Sequence, residues 1–466
     1  MGARNLEDVL RQSGDTVGLL RNSRIGMYVY PVVAAEFTNW RDEQRAWRDS
    51  AVLFDQSHHM AELMVEGPDA GPFLEGLSIN SFKGFTVDKA KHYVPVGPSG
   101  HVIGDVILFH LDENQYLLVG RAPTVNWVEY NASLGKHDVK VTRDDRSPSR
   151  PDGKKVDRRH YRFQIQGPNA TAILEKLNGG PIPEIKFFNM DRINIAGRKV
   201  RALRHGMAGA PGLEIWGPYE EKDEIQAAII EAGRGHDLYQ VGSRAYSTNT
   251  LESGWIPSPL PAIYSGEEMR AYREWLPANG YEATGSIGGS YVSGSIEDYY
   301  TTPYELGYGF YVKFDHDFVG RQALEKMDPK TQRKKVTFEW NDEDVMKIIH
   351  SSFRNGEENY KWIDLPQPNY ASSSFDRVQR DGKLVGLSMF NGYSFNERAM
   401  LSLGIVDQDV NVGDVLTLVW GEPDGGSGKT STERHKQAEI RVRVSPVPYA
   451  REARENYVDS WRTRSS

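Results

Sequence analysis

The chain has 466 residues, no cysteine, 26% charged residues and a formal net charge of −8. That length exceeds one ordinary core and points to roughly two to four domains, and the acidic balance argues against nucleic acid, whose binding is led by Lys and Arg on phosphates. Lack of cysteine excludes disulfides, thiolate zinc, iron–sulfur and haem-thiolate centres; with no apolar run near a membrane span and no apolar signal core in Met1–Asn22, the expected compartment is the cytoplasm.

Residues 36–58 read as a helix followed by a turn, with Trp40, Ala46, Trp47 and Ala51 on one face. Val52-Leu53-Phe54 reads as a short buried strand, and 60–66 and 92–96 as further strands. Ala70 to Leu77 reads as a short helix, and Val102–Phe109 with Tyr116–Val119 as a hairpin about Asp112-Glu113-Asn114. The Pro-rich stretch Arg146–Pro151 is a connector. A similar order then recurs: a strand at Tyr161–Gln166 ending at Gly167-Pro168, a helix over Asn169–Leu177, two strands within 191–205, a strand at Leu213–Trp216 and a helix over Glu221–Gly233. Two α+β units in the same order suggest an internal duplication. Residues 260–310, rich in Gly, Tyr and Ser, read as a long functional loop or lid. From Arg333 onward, runs at 335–340, 384–389, 400–405, 415–420 and 437–445 predict a separate β-barrel or sandwich.

Several motifs are decoys. Gly425-Gly426-Ser427-Gly428-Lys429-Thr430 looks like a phosphate loop, but Pro423 stands at the required first glycine and the context is strand-turn-strand, so a hairpin tip is expected. Gly285, Gly288, Gly289 and Gly294 do not make the dinucleotide spacing. Adjacent His58-His59 is a poor metal pair, and no metal is expected. Arg121, just past the strand Tyr116–Val119, is either a solvated strand end or a carboxylate clamp. Glu214, within the apolar Leu213–Trp216, either faces solvent or is buried to read an N–H beside an NH2 group. The stretch Gly242–Trp255 is the most informative: Arg244, Tyr246 and Trp255 set a guanidinium, a phenol and an indole within twelve residues, suited to a flat, polar ligand and to proton chemistry.

Taken in order, Gln166-Gly167-Pro168, Gly212–Ile215, Gly242-Ser243-Arg244, Leu251–Gly254, Glu305–Gly309, Val312–Asp315, Phe318–Leu324 and Val447-Pro448-Tyr449 resemble the tetrahydrofolate-binding aminomethyltransferase (T-protein) of the glycine cleavage system. Within that superfamily, Tyr28–Pro31, Phe54–Met60, Asp144–Pro151, Arg204–Gly212 and Trp275–Asn279 are similar to the bacterial aryl methyl ether O-demethylases acting on vanillate, 3-O-methylgallate or syringate. Two departures from the T-protein matter. The interval from Arg244 to Glu252 is about two residues longer and carries Tyr246, and Gly104-Asp105 stands where the T-protein has two aspartates.

The resemblance implies an α+β, three-domain aminomethyltransferase-like fold: two interleaved α+β domains, 1–60 with 155–250 (folate-binding) and 61–154 with 251–330, then a C-terminal β-barrel domain, 331–466. It implies transfer of a methoxybenzoate methyl group to N5 of tetrahydrofolate, the co-substrate. Tyr246 would be the catalytic donor to the leaving phenolate, Tyr28, Tyr30, His59 and Arg121 would hold the substrate, and Gln56, Tyr93, Gln164, Glu214, Arg244 and Trp255 the folate. The partners would be small molecules only, with no nucleic acid or membrane, in a monomer or small homo-oligomer. Oxidative demethylation by haem-thiolate or a Rieske cluster needs cysteine, so a non-oxidative methyl acceptor is the simpler chemistry here. The rival expectations are a folate-dependent demethylase of a non-aromatic donor such as dimethylsulfoniopropionate, and a non-catalytic folate-binding module.

Overall fold

The computed structural model describes residues 2–25, 30–147, 156–257, 259–426 and 428–455. Tyr28, and most of the connector after Arg146, lie outside them. Two open sheets and a closed barrel carry the architecture. The first sheet has six strands in the spatial order Leu238–Gln240, Ala51–Asp55, His160–Gln166, Gly212–Pro218, Arg198–Leu203 and Met190–Ile195. The second has five: Lys89–Tyr93, Val106–Asp112, Gln115–Gly120, Ala61–Glu66 and Lys140–Asp144.

The duplication expected from the sequence is present in this topology. From Ala61 and again from His160 the chain runs strand, helix, three-strand meander, helix, strand. The spatial order is the same in both copies, except that Ala51–Asp55 is inserted between the first and last strands of the six-stranded sheet. The junctions repeat too. Gly67-Pro68-Asp69-Ala70 and Gly167-Pro168-Asn169-Ala170 each end a strand and start a helix. Both glycines take a positive φ, 134° and 122°. A Cβ on either would lie 2.3 Å or 2.5 Å from a neighbouring carbonyl oxygen, so only glycine fits.

Strand alternation sorts the faces. The helices Ala70–Glu75 and Ala122–Ser133 cover Leu63, Val65 and Leu118 of the five-stranded sheet. The helices Ala170–Asn178 and Lys222–Gly233 cover Phe163, Ile165 and Ile215 of the six-stranded one. The uncovered faces turn towards each other, where Phe109, Leu117 and Val119 meet Met190, Leu203 and Trp216.

Three expectations need correction. The helices Leu6–Ser13 and Thr16–Arg21 were expected with the first α+β unit, but their apolar residues Leu6, Leu10, Val17 and Leu20 pack with Ile256, Met269 and Tyr272 instead. Residues 260–310 are not a lid: Tyr264, Tyr272, Tyr299 and Tyr300 are buried, and their rings make this segment a core. The strand expected at 92–96 lies at Lys89–Tyr93, its edge charges having masked the alternation.

The C-terminal region closes as a six-stranded barrel around Phe338, Trp340, Leu418, Trp420, Ile440 and Val442. Asp376–Arg380 is the strand the sequence pattern missed, and pairing of Lys334–Trp340 with Ala438–Ser445 closes the ring. The glycine-rich stretch connects two barrel strands, and Lys429 is buried there with its ammonium on the carbonyls of Arg21 and Ile287. Those carbonyls, not a phosphate, occupy it. Among the described residues no helix is long and apolar enough to cross a membrane.

Candidate active site

The chain leaves the six-stranded sheet at Asp55 and enters the five-stranded sheet at Ala61. The crossing segment between them carries Gln56 and His59. Tyr246 comes to it from the short helix Ser243–Tyr246, which follows the edge strand Leu238–Gln240. The start of that helix is fixed by a buried carboxylate: Glu43 accepts the backbone N–H groups of Phe37, Thr38 and Gly242. A side chain at Gly242 would strike the Ala35 carbonyl at 2.3 Å.

These residues form a directed hydrogen-bond chain. Gln56 Nε2 donates to the Tyr246 hydroxyl at 3.1 Å, and that hydroxyl lies 3.0 Å from His59 Nε2. His59 Nδ1 lies 2.8 Å from the Tyr30 hydroxyl, which donates to the Asp55 carbonyl at 2.9 Å. Burial holds His59 well below its ordinary pKa, and the charges of Arg121, Arg158 and Arg146 add to the effect. A neutral imidazole carries one proton. Tyr30 has used its own on Asp55, so the imidazole proton belongs on Nδ1, and Nε2 accepts the proton of Tyr246. The rings pack as tightly as the bonds suggest. Tyr30 stacks on His59 at 4.5 Å, and Tyr246 stands edge-on to Tyr30, His59 and Phe54 at 4.9, 5.1 and 5.3 Å.

Arg121 sits at the end of the strand Gln115–Gly120 and lines a cleft with Gly104, Asp105, Thr124, Tyr264 and Tyr281. Its charge acts directly on His59. Trp255 is bonded to the cleft residue Asp105, whose Oδ2 accepts Trp255 Nε1 at 2.7 Å, the Tyr308 hydroxyl at 2.9 Å and His92 Nε2 at 2.5 Å. Burial opposes ionisation of Asp105, but His92, Trp255 and Tyr308 together hold its pKa below the usual carboxylate value. The sequence reading treated Asp105 as what was left of a lost aspartate pair; the structure makes it the anchor of Trp255. Lys335 of the barrel, pushed by burial down to about 8, caps this corner by donating to the Gly254 carbonyl.

Glu214 is buried, which decides between its two sequence readings. Arg162 bonds it at 2.5 Å and His205 faces it at 3.5 Å. Burial would raise its pKa, yet the Arg162 guanidinium and the contact with His205 hold it below the usual range. Arg162 also bonds Glu62 at 3.1 Å, joining the two sheets, and its guanidinium lies over the rings of Phe109 and Trp216. Sequence reasoning missed Arg162; a cation inside the strand Tyr161–Gln166, on the face opposite Tyr161, Phe163 and Ile165, was the available signal. Glu62, Asp144 and His160 lie close enough to suggest a metal site. Arg162 and Arg158 bond the two carboxylates, so the group reads as an ion-pair cluster. Gln164 and Gln166 use their amides on the loop 205–210, through His205, Met207, Ala208 and Ala210.

Two expected residues stand apart. Tyr93 is fully buried in the five-stranded unit, its hydroxyl on the Leu74 carbonyl at 2.8 Å, because its ring points to the core behind the sheet. Arg244 is half exposed and tied to Glu36 at 3.1 Å and to the Leu365 carbonyl at 2.6 Å, so it braces the barrel junction and stays outside the cluster. His58 is structural: its nitrogens meet the Ser147 and Tyr219 hydroxyls at 2.8 and 3.0 Å.

Comparison with known proteins gives a consistent result. Residues 24–258 match the GCVT N-terminal domain. The chain is 52% identical to a syringate O-demethylase from Sphingobium sp. over 465 residues, covering 100% of both chains. It is 32% identical over 411 residues, 85% of each chain, to a sesamin methylene transferase from Sinomonas sp.. The structure superposes on the glycine cleavage system aminomethyltransferase T from Bartonella henselae with a TM-score of 0.59 at 17% identity, covering 95% of this chain and 98% of that one, a likeness of fold.

Proposed function

The chain belongs to the GCVT family, and from that premise we propose that it is a tetrahydrofolate-dependent O-demethylase. It moves the methyl group of a methoxybenzoate, with syringate first and vanillate or 3-O-methylgallate next, to N5 of tetrahydrofolate, giving a phenol and 5-methyltetrahydrofolate. The observation that carries this reading is the directed chain Gln56–Tyr246–His59–Tyr30. It presents a phenol proton in a protein half identical, end to end, to one named for the same chemistry.

The residues present suit the co-substrate. Gln56 Oε1 is buried with no hydrogen-bond partner in the protein, so an acceptor waits beside Tyr246. Glu214 is an ionised, buried acceptor for adjacent N–H groups, and Trp255 offers an aromatic face. Tetrahydrofolate supplies a nucleophilic secondary amine. The protein does the rest. Arg121 clamps the ring carboxylate with its planar fork. Tyr30 and His59 orient the aromatic ring. Tyr246 holds a proton for the leaving oxygen: a phenol of ordinary pKa near 10 is matched to a departing phenolate. The Gln56 N–H steadies the Tyr246 oxygen as that proton moves. Reacting atoms must be held roughly 3–3.5 Å apart and in line, and a site fixed to the crossing between two sheets is stiff enough to do so.

Incubation of the protein with tetrahydrofolate and syringate or vanillate, followed by mass detection of the demethylated acid and of 5-methyltetrahydrofolate, tests the reading. Demethylation without tetrahydrofolate, or none with it, refutes it.

A further inference from the structure

Asn249 is fully buried, and neither its Oδ1 nor its Nδ2 has a hydrogen-bond partner. A carboxamide is donor and acceptor at once, and native folds rarely seal both away unpaired. The residues around it are not treated so. Thr248 accepts from Gln44 and donates to the Ala245 carbonyl. Glu252 collects Trp47, Arg48, Ser394 and Asn396.

The direction of Asn249 follows from its helix. Ser247 and Thr248 keep right-handed helical dihedrals between Ser243–Tyr246 and Asn249–Ser253, so one spiral runs from Tyr246 to Ser253. At 3.6 residues per turn, Thr248 and Glu252 share one face, turned to the helix Trp40–Asp49. Leu251 is on another, turned to Gly392 of the barrel. Tyr246, Asn249 and Ser253 share the third. On that face Ser253 abuts Gly209, and Tyr246 clusters with Ala208. Asn249 therefore faces the loop 205–210 that Gln164 and Gln166 hold, on the same side as Tyr246 and the unpartnered Gln56 Oε1.

We infer that Asn249 is a further binding residue of the co-substrate pocket, pairing through Nδ2 with the ring C=O of a reduced pterin and through Oδ1 with a ring N–H other than the one Glu214 takes. The inference rests on the folate reading above. A ring that carries both C=O and N–H groups is what a buried primary amide can complement, and the buried Gln164 and Gln166 hold the loop it addresses.

The test compares wild type with Asn249→Leu and Asn249→Ala, measuring tetrahydrofolate and syringate binding separately by calorimetry, and the melting temperature without ligand. Asn249→Leu should weaken tetrahydrofolate roughly tenfold or more, the scale of lost buried hydrogen bonds. It should leave syringate within about twofold and keep or raise the ligand-free melting temperature, because an unpaired buried amide is gone. Asn249→Ala gives the same answer if the leucine does not fit. Unchanged tetrahydrofolate binding in the variants, with normal wild-type binding, overturns the assignment and indicates a buried hydrated amide. A loss confined to syringate also overturns it. Failure of the wild type to bind tetrahydrofolate overturns the folate reading itself and this inference with it.

Discussion

The six-stranded and five-stranded sheets follow one path of chain and differ on the faces they turn to each other. Position by position, Arg162 answers to Glu62 and Gln164 to Met64, and by strand register Glu214 answers to Leu117 and Trp216 to Val119. One copy has kept an apolar inner face at Met64, Leu117 and Val119. The other has turned polar, with Arg162, Gln164, Gln166 and Glu214 all buried. Burying such groups costs free energy unless each is paired, and here the ion pairs and the loop 205–210 do the pairing. A duplicated frame thus supplies two equivalent sheets, of which, in the proposed function, one is a support and the other a recognition surface. In the proposed reading the five-stranded sheet contributes at the end of its central strand, through Arg121.

The largest effect should come where the crossing between the sheets meets Tyr246. Tyr246→Phe keeps the ring packing and should cut turnover by about 10²–10⁴-fold with syringate affinity unchanged; full turnover removes it as the proton donor. Next, Arg162→Met strips the shared partner from two buried carboxylates and should cost about 3–5 kcal/mol of stability in urea unfolding. A loss below about 1 kcal/mol would mean the joint between the sheets lies elsewhere. Glu214→Leu writes the supporting sheet's residue into the recognition sheet. Tetrahydrofolate affinity should fall by about 1.5–3 kcal/mol, the value of a hydrogen bond to a charged group, and an unaltered affinity would erase the distinction between the two faces. Arg121→Ala should weaken methoxybenzoates by about tenfold, sparing analogues without the carboxylate; equal losses on both would end its role as a clamp. The smallest effect concerns His59. Its folded-state pKa lies below its unfolded one, so the unfolded chain takes up the proton first. Its contribution to stability is full above about pH 6.5 and is lost as pH falls from there. The difference between wild type and His59→Gln across pH 5–7 isolates it from Asp376, whose burial pushes its pKa up to about 7 and gives the opposite slope.

Alternating segments were legible because one face had to be apolar: Tyr161–Gln166, the meander strands and most barrel strands follow from that rule alone. The helix Ala122–Ser133 was not, because Ala122 through Val128 are all buried and leave no polar stripe to reveal its period. Tyr246, His59, Gln56, Tyr30 and Arg121 were identifiable by resemblance, and the structure brings them together. Trp255 is tied to the cleft residue Asp105, a long-range partner that no local pattern encodes. Tyr93 and Arg244 went astray for the same reason: residue type suggested a ligand, whereas the Leu74 carbonyl and Glu36 were invisible until the chain was folded.

The hydrogen-bond chain runs through Tyr30 to the Asp55 carbonyl, a group that accepts a hydrogen bond but does not ionise. The line from Tyr246 through His59 to Tyr30 thus meets a group that cannot take the proton onward. Exchanging an ether for a phenol, and a secondary amine for a tertiary one, neither releases nor consumes a proton overall. Such a line suits the exchange: one proton can pass to the departing oxygen and another be recovered from the nitrogen.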